Sequence, residues 1–91
     1  MDLQTSAALA AHDAFALLDN RSSQAFAARI IARDFANQIA GSTIAIEWMN
    51  RAIEILLAIK KHPKLRTIYR DQLAIVITAH RRRNEIFRHC L

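Results

Sequence analysis

The chain has 91 residues, 53% of them apolar, with one glycine, one proline, one cysteine and a formal net charge of +5. That length holds one domain near the lower limit for a self-sufficient core, and the lone Cys90 excludes an internal disulfide. The longest uncharged run, residues 35–46, falls short of the roughly 20 residues that cross a bilayer. Met1-Asp2-Leu3-Gln4 shows no basic leader before an apolar stretch, so the expected location is the cytoplasm.

Apolar residues recur every three or four positions, and the pattern breaks at Gly41 and Pro63. The expected fold is therefore all-α: a small four-helix bundle of mostly antiparallel hairpins, in a single domain. The helices are expected at approximately 3–19, 22–40, 42–62 and 64–89. In the first, Ala7, Ala11, Ala14, Phe15 and Leu18 are expected inward, with Gln4, His12 and Asp13 outward. The polar turn Asp19-Asn20-Arg21 follows, and Ser22 or Ser23 caps the second helix. Its inward face reads Ala28, Ile31, Ala32, Phe35 and Ile39, and Gly41 suits a left-handed C-cap.

The third helix opens at Ser42 or Thr43. Its polar stripe is narrow, formed by Glu47, Asn50, Arg51, Glu54 and Lys61, with Glu47 and Arg51 at ion-pair spacing. Everything else on it is close to wholly apolar, so it is expected to be covered on several sides, by the bundle or by a second subunit. Pro63 suits the first turn of the fourth helix, where its missing N–H would be unpaired anyway. Leu65, Ile68, Tyr69, Leu73, Val76, Ala79, Ile86 and Phe87 mark its expected inner face. The β-branched run Leu73-Ala74-Ile75-Val76-Ile77-Thr78 is read as helical, because no partner strand exists for it.

Charge is uneven. Residues 51–91 carry ten Lys or Arg against Glu54, Asp71 and Glu85, while the first half is slightly acidic. A basic patch of Arg66, Arg70, Arg81, Arg82 and Arg88 is expected to meet an anionic partner, nucleic acid among them. Arg83 points toward the apolar side of its helix. The string Arg83-Asn84-Glu85-Ile86-Phe87-Arg88-His89 is similar to the arginine–polar–spacer–histidine motif of HEPN ribonucleases. That resemblance covers seven residues and implies RNA cleavage by Arg83 and His89 at a dimer interface.

The histidines and Cys90 lack the spacing of a metal site, and no cofactor, metal or small-molecule substrate is expected. Aliphatic side chains are dense enough that a small bundle is expected to leave some uncovered. The expected function is non-enzymatic: a protein–protein interaction module (adaptor, chaperone or regulator) that binds a partner or a second copy of itself as a homodimer. Trp48, Met49, Ile55, Leu56, Ile77 and Phe87 are the expected contact residues. Nucleic-acid regulation through the basic helix is the alternative, and the HEPN-like activity ranks third.

Overall fold

Each break in the apolar pattern becomes a corner between helices: α1 (Leu3–Leu17), α2 (Arg21–Gln38), α3 (Thr43–Ile59) and α4 (Pro63–Cys90). This computed structural model describes the backbone of residues 3–90 and the side chains of residues 3–86. Among the described residues no helix is long and apolar enough to cross a membrane.

The corners follow from local chemistry. Asp19 takes a left-handed φ of 56° at the end of α1. Asn20 N–H then donates to the Phe15 carbonyl at 2.9 Å and Asp19 N–H to that of Ala16 at 3.2 Å, a paired arrangement that satisfies the last carbonyls of a helix. Asn20 also starts α2, its side chain accepting from Ser23 N–H at 3.3 Å, so the cap lies two or three residues before the expected Ser22 or Ser23. Ser42 caps α3 by accepting from Ala45 N–H. Lys60, at φ 54°, ends α3 in the left-handed region. Gly41 lies beyond the end of α2, whose C-cap is Ile39 in extended geometry. Its positive φ of 75° turns the chain from α2 into α3. The β-branched run lies inside α4, where the Thr78 hydroxyl donates to the Ala74 carbonyl at 2.8 Å.

The helices lie in chain order, and each packs chiefly on its neighbours: α1 on α2, α2 on α3, α3 on α4. The bundle is flattened, 49 × 30 × 13 Å along its principal axes. At the usual helix spacing of about 8–10 Å the middle dimension accommodates four helices abreast. Thr5 meets Asp34, and His12 meets Gln24, so α1 and α2 run antiparallel.

The core lies where α2 and α3 face each other and where α4 begins. Ala25, Ala28 and Ala32 let α2 come close to Met49, Ala52, Ile53, Ile55 and Leu56 of α3, and Tyr69 closes one end. Arg29 ties α2 to α4: its Nε donates to Gln72 Oε1 at 2.9 Å, and its guanidinium lies 5.7 Å from the Tyr69 ring centre. Burial pushes the Tyr69 phenol above its ordinary value, partly opposed by the Arg29 charge. The native state therefore favours the protonated phenol more than the unfolded chain does. Stability is kept below about pH 10 and falls as pH rises past it. Tyr69→Phe, which cannot ionise, is expected to flatten the alkaline limb of a plot of melting temperature against pH.

The orientation of α1 differs from the sequence expectation. Its buried residues are Thr5, Ala8 and His12; Ala11 and Phe15 are half-buried, Gln4 and Asp13 face outward as expected, and Ala7, Ala14 and Leu18 are exposed. Buried polar pairing explains the difference. Arg51 Nε donates to His12 Nε2 at 2.9 Å, Gln24 Nε2 lies 3.3 Å from the same atom, and the Thr5 hydroxyl donates to Asp34. An arginine can only donate, so His12 Nε2 is an acceptor here and Nδ1 carries the hydrogen toward Asp13 Oδ1, 3.1 Å away. Arg51 turns to α1 instead of making the expected surface pair with Glu47. Two leucines of α1 are left facing outward, Leu3 89% and Leu17 90% exposed.

Candidate interaction surface

Helix α4 outreaches its support. At about 1.5 Å per residue its 28 residues span roughly 42 Å, against roughly 26 Å for the 17 residues of α3. It crosses the α2–α3 corner at His80, whose Nδ1 lies 2.9 Å from the Gly41 carbonyl oxygen. Residues 81–86 continue past that corner and are all exposed.

Along α4 the positions 65, 68, 72, 75, 79, 82 and 86 alternate in steps of three and four, which places them on one flank. Leu65, Ile68, Ile75 and Ile86 on that flank are exposed large apolar residues. The adjacent flank, carrying Tyr69, Leu73, Val76 and His80, is the one turned to the bundle. Where α4 passes the end of α2, an open groove of about 820 Å³ forms. Ile39 and Ala40 make one wall; Ile75, Ala79 and Ile86 make the other, with Arg82 and Arg83 beside them. Ile75 is 69% exposed, Ile86 63% and Ile39 53%. Such a lining is apolar with a cationic edge.

The expected contact residues fall elsewhere. Met49, Ile55 and Leu56 are buried in the subunit core, so they present no surface to a partner. An almost wholly apolar helix is placed centrally, between α2 and α4, and its apolar side chains are largely absorbed there. Trp48 is half-buried and meets His12 edge-on, ring centres 5.1 Å apart. Ile77 is half-buried, and the Phe87 side chain lies outside the described residues. Leu65, Ile68 and Ile86, expected inward, are exposed instead.

The basic patch divides. Arg82 joins the groove, whereas Arg70 and Arg81 are exposed away from it. Arg66 is half-buried, its Nε buried without a hydrogen-bond partner among the described residues. The side chains of Arg88 and His89 lie outside the described residues, and with them half of the HEPN-like pair. Among the described residues no group of three or more His, Cys, Asp or Glu side chains could hold a metal ion.

No family model, curated protein or solved structure matches this chain. Ile39, Ile75 and Ala79 were not singled out as contacts from sequence, although the alternating spacing along α4 was a signal for a second apolar flank.

Proposed function

We propose that this protein is a non-enzymatic protein–protein interaction module and that the groove between the end of α2 and α4 is its contact surface. The observation that carries the reading is the exposure of Ile39, Ile75 and Ile86 around one open groove. Aliphatic side chains gathered in a concave site gain roughly 25 cal/mol per Å² on leaving water, and scattered ones gain nothing from one another. Arg82 and Arg83 at the edge favour an occupant with acidic or neutral character and raise its encounter rate.

A photoreactive benzoyl-phenylalanine in place of Ile75 tests this in cells. It is expected to form covalent adducts with protein, whereas the same group in place of Glu54, on the polar stripe of α3, forms few. Equal yields at the two positions would sink the reading.

Exposed Arg70 and Arg81 support a second reading, sequence-independent contact with phosphate. Its mark is a gel shift with generic DNA or RNA that weakens steeply as salt rises. No shift at low salt removes it.

A further inference from the structure

We infer that the occupant of the α4 groove is helix α1 of a second copy of this chain, so that copies join head to tail. The inference rests on the groove being a contact surface, as proposed above.

The two outer helices of the array present matching faces. On α1, Leu3, Ala7, Ala10, Ala14 and Leu17 follow one another at steps of four and three, and all are exposed. Leu18, at 75% exposure, widens the strip. This is the same alternation that runs along the exposed flank of α4, and two helices with that repeat can interdigitate along a common seam. The alanines allow close approach, and the leucines at both ends supply the bulk. The α1 seam spans roughly 21 Å, within the roughly 32 Å between Leu65 and Ile86 on α4.

Charge chooses between the pairings. Two α4 helices face to face would oppose their own arginines, including Arg82 and Arg83. Helix α1 contains no Lys or Arg and carries Asp13, with Asp19 just after it. It therefore meets the cationic groove without repulsion. Because α1 and α4 are different surfaces on different edges, the contact is heterologous: it extends as a chain of subunits or closes as a ring. Proteins built of helices stacked in sequence need a polar outer face on each terminal helix to stay single, and the exposed seam of α1 from Leu3 to Leu17 is apolar.

The test uses two full-length variants at exposed positions, Ala10→Glu on α1 and Ile75→Glu on α4, with circular dichroism confirming that each is folded. Light scattering of the unaltered protein is expected to show a mass that rises with concentration above the 10.3 kDa of one chain. Each variant alone is expected to remain at the single-chain mass, since every contact needs both faces intact. Mixed in equal amounts, the two are expected to give a particle of twice that mass, because each contributes the face that the other lacks. A variant that assembles by itself, a mixture that stays monomeric, or an unaltered protein that is monomeric throughout overturns the inference. If adducts at position 75 then still form with other proteins, the proposed function survives. If adducts are absent too, both fall.

Discussion

Gly41→Ala is expected to unfold this protein more readily by about 3 kcal/mol, measured as a shift in the midpoint of denaturant unfolding. Two effects add. Gly41 has φ +75°, where an L side chain costs about 1–2 kcal/mol. A Cβ at this position would also stand 2.7 Å from His80 Cα and 2.9 Å from both His80 N and the Ala79 carbonyl oxygen. These are main-chain atoms, so no rotamer change relieves the contact; α4 itself has to move, at about 1–3 kcal/mol for overpacking. His80→Ala is accordingly expected not to rescue the variant. A stable Gly41→Ala protein would show that α4 does not cross the corner at this distance. The same displacement would separate Ile39 and Ala40 from Ile75, so the groove should fail with the fold.

The second large effect is expected at Leu56, which is 1% exposed in the core. Leu56→Ala removes buried methyl groups and leaves a cavity that neighbouring helices fill only in part, a loss of about 3–4 kcal/mol. For a domain whose total stability is of the order of 5–14 kcal/mol, this is a large fraction. Ile75→Ala, at a position 69% exposed, is expected to change stability by no more than about 0.5 kcal/mol. The comparison separates the two roles of aliphatic residues in this chain. Equal losses at positions 56 and 75 would mean that the groove flank of α4 is covered within the subunit.

Legibility varied with the kind of residue. The number of helices and their corners could be read because Asn20, Ser42, Gly41 and Pro63 act through local backbone geometry, which neighbours in sequence determine. The rotation of each helix depends on partners far along the chain. On α1, alanines occupy both sides and give little contrast, and the decisive residues are polar: His12 is held by Arg51 and Gln24, and Thr5 by Asp34. No periodicity of apolar residues reports a buried polar network. On α3, an apolar surface extends around most of the helix, so sequence could announce that it must be covered but not by what. The subunit itself supplies that cover for Met49, Ile55 and Leu56 but leaves Ile44 and Leu57 exposed, and the most exposed large apolar residues lie on α1, at its end and on α4.

The order in which the helices pack also bears on how the polypeptide reaches this state. Because most contacts join successive helices, only short stretches must be closed before most contacts are rewarded, and little entropy is lost in advance. Small helical proteins wired in this way relax in about microseconds to milliseconds. The chain thereby avoids the slow search that distant pairings impose.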